Sequence, residues 1–383
     1  RCHMAEVVDC IVVGVGGIGS AAFWRLAERG RKILGLEQFG VAHNRGSSHG
    51  ETRIIRRAYF EHPDYVPLVN RSFELWADLE QRSGKQLYRE TGLVLGGRAE
   101  CEAVAGTQAA AERHGLSLDV LSPDDANDRF PGFRFYPEEI ALFEPKAGVL
   151  AVEKCVAAAI DAGRQLGGEL HTDEAVIDWT VTNDVVRVET NRGKYEAARL
   201  ILTAGPWAGD VLRRAGFTLN VVRKVLQWHP VLSSGYNIDR GAPTFYFESE
   251  LGSFYGMPSL DGREIKLAQH SGGTAVTDPL TVDRELHESD RKPVRAFVER
   301  SLRQVGAEPN RHAVCMYTKS ADGHFIVDTH PAGSQVALCC GLSGHGFKFA
   351  PVLGEILADL VLDGTTNQPA AFLGRQRTGL QSG

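Results

Sequence analysis

Residues 7–19 read VVDCIVVGVGGIG, and no other stretch constrains the fold as tightly. Val7–Val13 is a short apolar, β-branched run, the pattern of a buried parallel strand. It leads into Gly14, Gly16 and Gly19, spaced G-x-G-x-x-G, and then into 20–29, an Ala-rich stretch of helical character. Gly30 suits the residue that closes such a helix, and 32–37 is a second strand-like run ending at Glu37. Strand, glycine turn, helix, strand and acid together predict a β-α-β unit that binds a dinucleotide. Gly14 permits the tight turn, Gly16 lets backbone approach a pyrophosphate, and Gly19 lets helix and strand pack closely. The helix start then offers unpaired N–H groups to the phosphates. Glycines in this spacing also mark ordinary turns, so the flanking elements and the acid carry the inference.

A chain of 383 residues is too long for one ordinary core, and two domains are expected. In 64–84, Leu68, Ser72, Leu75, Trp76 and Leu79 fall on one helical face. Further helices are predicted over 100–114 and 152–166, with Ser122-Pro123-Asp124-Asp125 as the capped start of a short one. From 169 the period changes to two, giving strands at 175–182, Val185–Thr190, 194–197 and 200–203 with a turn at Asn191-Arg192-Gly193. Aromatic-rich runs at 221–232, 243–247, Gly252–Met257 and Glu264–Gln269 predict one sheet of a second domain, followed by a helix over 292–305. The C-terminal part predicts a strand at 335–340, a glycine loop at 341–346 and a helix over 349–362.

Hydrophobic residues at 43% and charged residues at 23% suit an ordinary soluble enzyme. The net charge of −6 gives no reason to expect nucleic acid or anionic lipid as a partner. No apolar run approaches the roughly 18–20 residues that span a bilayer, and no secretory cleavage pattern follows the first strand. A soluble, cytoplasmic chain is expected. Arg1, Cys2 and His3 precede Met4 and are set aside as a remnant. The cysteines are Cys2, Cys10, Cys101, Cys155, Cys315, Cys339 and Cys340, an odd set without a C-x-x-C pair, which fits a reducing compartment. No His/Cys/carboxylate cluster has metal spacing, so no metal is expected. Cys315, alone in HAVCMYTK, reads either as a small buried hydrophobe or as the attachment point of a covalently held group. Cys339 and Cys340 sit in an apolar run and read as structural.

Several segments then fall into one order: Gly46-Ser47-Ser48-His49-Gly50-Glu51-Thr52-Arg53-Ile54-Ile55-Arg56, Phe254-Tyr255-Gly256-Met257-Pro258, Lys266-Leu267-Ala268-Gln269-His270, Cys315-Met316-Tyr317-Thr318-Lys319 and Gly344-His345-Gly346-Phe347-Lys348. In this order and spacing they resemble the monomeric sarcosine oxidase and N-methyltryptophan oxidase family, FAD-dependent amine oxidases of the D-amino-acid-oxidase-like superfamily. The resemblance runs from Val7 to about Asp363. It implies an α/β (α+β) chain of two domains: a Rossmann-type FAD-binding domain from 4–83, 146–220 and 315–383, and an antiparallel-sheet substrate domain from 84–145 and 221–314. It also implies FAD linked to Cys315 through a thioether, formed by a thiolate that nearby cations would favour. The implied cofactor contacts are Gly14, Gly16, Gly19, Glu37, Ser47, His49, Thr52, Cys315, Gly344, Gly346, Phe347 and Lys348.

The same resemblance implies a substrate site. Arg56 and Lys348 would clamp a carboxylate, the planar guanidinium binding both oxygens. Arg53 would lie near the flavin and stabilise negative charge on it. Lys266 would promote the reaction with oxygen, whose first one-electron product is an anion, although on an ordinary strand a lysine more often sits at a solvated edge. Tyr255 and His270 would line the pocket, and Arg57 reads as a surface salt-bridge residue. His345 is expected among the cofactor contacts, while His62, His114, His171 and His287 receive no role.

The sequence departs from the family pattern at Phe254 and at Ser48 and Glu51, and Trp228 is more like the N-methyltryptophan relatives. The implied activity is oxidation of N-methyl (secondary) amino acids such as sarcosine. A hydride equivalent passes to flavin and then O2, giving an imine, hydrolysed to aldehyde and amine, and H2O2. The partners are then a small amino acid and molecular oxygen, and the expected state is a monomer. The alternatives are a flavin-dependent amine dehydrogenase, an oxidase of N-methyltryptophan, pipecolate or a fructosyl amino acid, and a non-catalytic flavin-binding protein. A nicotinamide-dependent dehydrogenase would leave Cys315 unexplained.

Overall fold

The computed structural model describes residues 7–212 and 215–380. Residues 1–6, with Cys2 and the start of the expected first domain, lie outside the described residues, as do 213–214 and 381–383. An eight-stranded sheet is built on Val7–Val13, which pairs in parallel with Ile33–Leu36 on one side and Lys194–Leu202 on the other. The helix Gly17–Glu28 fills the crossover between the first two strands. It packs between Val152–Gln165 and Ala350–Asp363, with Phe23, Trp24 and Leu26 fully buried. Fully burying a side chain of this kind contributes about 1.5–3 kcal/mol.

Thr244–Ser249, Gly252–Met257 and Glu264–Gln269 form antiparallel neighbours in a nine-stranded second sheet, with Asn220–Pro230 beyond them. Leu93–Arg98 and Glu139–Glu144, not read as strands from the sequence, extend that sheet at its other end. A third, three-stranded sheet joins Thr52–Ile55, Gly148–Ala151 and Tyr88–Glu90.

The helix at 64–84 is observed as Tyr65–Ser83, with Gly84 in the left-handed conformation after it and Leu68, Ser72, Leu75, Trp76 and Leu79 buried. Ser122 caps Pro123–Arg129 by accepting from the Asp125 amide. Some expectations are corrected. The runs 194–197 and 200–203 are one strand, Lys194–Leu202, because its beginning pairs antiparallel with Val185–Thr190 and its end pairs in parallel with Gly333–Cys340. The helix expected over 292–305 is Glu288–Ser301: a capping box between His287 and Asp290 starts it upstream, and Leu302 has already turned to extended backbone. Arg311–Lys319, which carries Cys315, is a strand paired along its length with Asn220–Pro230.

Candidate functional site at the junction of the sheets

The end of Val7–Val13 opens onto a cavity of about 450 Å³, which runs from the glycine turn to the second sheet. Gly14 has φ +81°, and a Cβ there would lie 2.6 Å from Thr203 O. A Cβ on Gly19 would lie 1.8 Å from Gly14 O, so turn and helix close only with glycine at both positions. Gly16 is different: a Cβ there would meet nothing within 4 Å, and its backbone lines the cavity. Glu37 is buried in the wall, its carboxylate accepting from the amides of Val15 and Phe39 at 2.9 and 3.0 Å.

Further along, Ser47 Oγ donates to Met316 O at 2.7 Å, tying the 46–53 segment to the strand of Cys315. Arg53 lines the cavity and donates to Thr52 O and Ser47 O, both at 2.8 Å, and to Cys315 Sγ at 3.6 Å. Cys315 is itself buried and does not line the cavity; the next residues, Met316, Tyr317 and Thr318, do. His49 is also behind the wall, its Nε2 3.1 Å from Gly46 O, and burial lowers its pKa to about 3, so it is neutral. Gly344, Gly346 and Phe347 line the cavity, Phe347 stacking on Trp76.

At the far end, Arg56 and Lys348 meet around a carboxylate that the sequence reading missed. Glu61 accepts from Arg56 Nη2 through both oxygens, at 2.8 and 2.6 Å. Burial raises its pKa, but Arg56, His345 and Lys348 outweigh that and hold it at about 2. Lys348 Nζ donates to His345 O at 2.9 Å, and burial, reinforced by Arg56, lowers its pKa to about 7. His345 is held by Tyr59 OH at Nδ1 (2.6 Å) and by Gly323 O at Nε2 (3.0 Å). Burial lowers its pKa to about 4, so the neutral ring donates from Nε2 and accepts at Nδ1.

Tyr255, His270, Tyr246, Phe60 and Tyr317 complete this end. His270 Nδ1 lies 3.4 Å from Tyr317 OH, and burial lowers its pKa to about 3. Tyr246 and Phe60 carry no charge or motif that marks them in isolation; Tyr246 reaches this end from the strand Thr244–Ser249 and Phe60 from the loop that follows Arg56.

Lys266 is buried rather than at a solvated edge, and donates to Gly50 O and Thr52 O at 2.7 Å each. With Thr52 it lines a second cavity of about 140 Å³. Trp228 belongs to this second cavity, donating to Glu51 Oε2 at 2.9 Å, so it has no place beside the Arg56–Lys348 end. Arg57 is half-buried on Phe73 and donates to Asn70 and the Lys146 carbonyl, a structural role rather than a surface ion pair. Cys339 and Cys340 are buried and line the first cavity from the strand Gly333–Cys340.

The family model described as FAD dependent oxidoreductase (DAO) matches residues 9–360. The chain belongs to this family. A relative named monomeric sarcosine oxidase, from a Bacillus species, is 39% identical over 99% of this chain and 98% of its own. One named N-methyl-L-tryptophan oxidase, from Salmonella arizonae, is 32% identical over 93% of this chain and 95% of its own. Among solved structures, an open form of the Tyr258Phe mutant of NikD, an unusual amino acid oxidase essential for nikkomycin biosynthesis, superposes with TM-score 0.86. It covers 96% of this chain and 97% of that one at 23% identity, a likeness of fold.

The cavity of this FAD-dependent oxidoreductase fits its cofactor. Gly16 leaves open space where a pyrophosphate would approach the helix N-terminus, and Glu37 stands at the strand end, where a ribose hydroxyl would be bound. Trp207 Nε1 and Thr318 Oγ1, buried polar atoms of cavity-lining residues, have no partner among the described residues. Among the described residues, no group of three or more His, Cys, Asp or Glu side chains could hold a metal ion. No helix among them is long and apolar enough to cross a membrane.

Proposed function

We propose that the chain oxidises N-methyl amino acids such as sarcosine, with oxygen as the final acceptor and imine and H2O2 as products. The observation that carries this reading is the convergence of Arg56 and Lys348 at one end of the cofactor cavity, beside the neutral His270. Two cations there suit an α-carboxylate, and the guanidinium is oriented for it by the rings of Tyr59 and Phe60 at 4.2 and 4.3 Å. The burial that keeps His270 neutral also disfavours an ammonium, so a bound amine is held neutral, with its lone pair available to assist loss of hydride from the adjacent carbon. His270, Tyr255 and Tyr317 then orient the amine, while Arg53 and Lys266 supply positive charge beside the cofactor. FAD, when bound, supplies the two-electron acceptor and the relay of those electrons to oxygen. Glu61 engages Arg56 before substrate does, so a substrate carboxylate must compete with it.

A second reading, a larger N-substituted amino acid, is favoured by the extension of the cavity past the clamp to Leu93, Phe60, Tyr246 and Met257. A panel of N-methyl, cyclic and glycated amino acids assayed by peroxide release separates the two. Absence of peroxide with every member, together with flavin bleaching under anaerobic substrate, would reject the oxidase reading in favour of a dehydrogenase.

Our reading further makes Cys315 the covalent attachment point, supported by the Arg53 guanidinium that donates to its Sγ at 3.6 Å. The flavin colour is expected to stay with acid-precipitated wild type and with Cys339→Ser, and to pass into the supernatant from Cys315→Ser. Wild-type colour wholly in the supernatant would sink the assignment. The division into an FAD domain and a substrate domain is likewise our reading, supported by the two large sheets; the strand Arg311–Lys319 crosses the 314/315 boundary while paired in the substrate-side sheet. We keep a monomeric, cytoplasmic protein as part of the same reading.

Lys348 gives a pH prediction. Its ammonium form binds a carboxylate, so affinity is fully present below about pH 7 and is lost as pH rises through the value reached in the complex. A carboxylate without a titrating amine, such as propionate, is expected to bind wild type progressively more weakly from pH 6 to pH 9. In Lys348→Met the profile should flatten; an equal slope in both proteins would exclude Lys348 as the titrating group.

A further inference from the structure

Lys224 stands on Asn220–Pro230 directly opposite Cys315 of the neighbouring strand. It is 5% exposed, burial and then Lys319 lower its pKa to about 7, and no carboxylate among the described residues pairs with it. A buried ammonium without a counter-ion is costly, and an apolar side chain would fill this strand position more cheaply. What it has instead is a cage of backbone oxygens. Nζ donates to His270 O at 2.7 Å, Ser271 O at 2.6 Å and Gly272 O at 2.7 Å, with Gln269 O at 3.3 Å.

An ammonium has three N–H groups, so the three short bonds saturate it. Consecutive carbonyls point to opposite sides of an extended strand. Here the chain has left the strand Glu264–Gln269 and curls through Gly272 (φ +66°) and Gly273 (φ +121°), so its oxygens face one point. Oxygens gathered in this way repel one another unless a cation sits between them. The curl begins at His270, whose ring lines the cavity and faces Tyr317, Tyr246 and Tyr255. The same ammonium lies 5.2 Å over the Tyr317 ring. One group thus touches both the backbone that carries His270 and the ring that His270 meets.

We propose that Lys224 is a positioning residue: its ammonium gathers the His270, Ser271 and Gly272 carbonyls and so sets His270 and Tyr317 as one wall of the substrate cavity. The assignment of that wall to substrate rests on the function proposed above. Lys224→Met is expected to keep its flavin and its fold, with a lower melting temperature because the gathered carbonyls lose their donor. Its KM for the preferred amino acid should rise about tenfold or more and its flavin reduction should slow, since small displacements at a reacting centre are amplified in rate. Reoxidation by oxygen should be unchanged. In Lys224→Ala, potassium or ammonium ions should restore part of the reduction rate by entering the carbonyl cage, whereas tetramethylammonium at equal ionic strength should not.

Amide hydrogen exchange over 269–273 should rise in Lys224→Met whatever substrate the enzyme takes. If wild type oxidised no amino acid, the functional reading would fail while the exchange measurement still decided the role of Lys224. Unchanged exchange overturns the proposal. So does an equal loss of flavin content, reduction and reoxidation, rescue by tetramethylammonium as good as by potassium, or no rescue by any of these ions.

Discussion

Lys348→Met should strip the enzyme of most of its preference for an N-methyl amino acid over the corresponding amide. Truncating one partner of a buried charge pair costs on the order of 2–5 kcal/mol, roughly 30- to several-thousand-fold in affinity. Much of that should appear in substrate binding, with further loss in the reduction rate where the reacting carbon is displaced. Arg56→Met should act in the same direction, but its effect is mixed: Glu61, held at about 2 by Arg56, His345 and Lys348, loses its bidentate partner and is left buried. Lys348 is the cleaner test, because among the described residues its ammonium donates only to a backbone carbonyl, His345 O. The flavin spectrum should stay near that of wild type. If wild type oxidised the amide as well as the acid, the clamp would be wrong and the substrate a plain amine.

Glu61 also marks where sequence reading stops. The β-α-β start was legible because a local chemistry, G-x-G-x-x-G between two apolar runs, admits few backbones. Arg56 and Lys348 were legible through family motifs. Glu61 lies five residues past Arg56 in a segment without periodicity, and becomes a site residue only because the chain folds back on Arg56. Lys224 was passed over for the same reason: its partners are carbonyls 45–48 residues away, which no side-chain pattern records. Strand continuity failed at 194–203 because two different partners occupy one edge in succession, a property of the sheet and not of the segment. Trp228 is more like the N-methyltryptophan relatives in identity, yet it donates to Glu51 and lines the second cavity, a placement that identity alone does not record.

That second cavity frames the remaining large effect. Lys266→Met is expected to slow reoxidation of the reduced enzyme by oxygen roughly 100- to 1,000-fold, the scale of losing one preorganised electrostatic contact. Reduction by substrate should change far less. The physical reason is the charge of the first one-electron product of oxygen, which a fixed cation stabilises in a site shielded from water. Two of the three Lys266 N–H groups are committed to Gly50 O and Thr52 O, which fixes the ammonium and leaves one donor without a partner among the described residues. Burial and the neighbouring Arg53 push its pKa well below the ordinary lysine value. The cation is therefore present at low pH and lost as pH rises through that depressed value, so wild-type oxygen reactivity should fall with rising pH. Lys266→Met should be slow and show no such fall. Stopped-flow mixing of photoreduced enzyme with oxygenated buffer measures the rate without involving substrate. Equal slowing of the two half-reactions, or a pH profile unchanged by the substitution, would reject Lys266 as the group that promotes the reaction with oxygen.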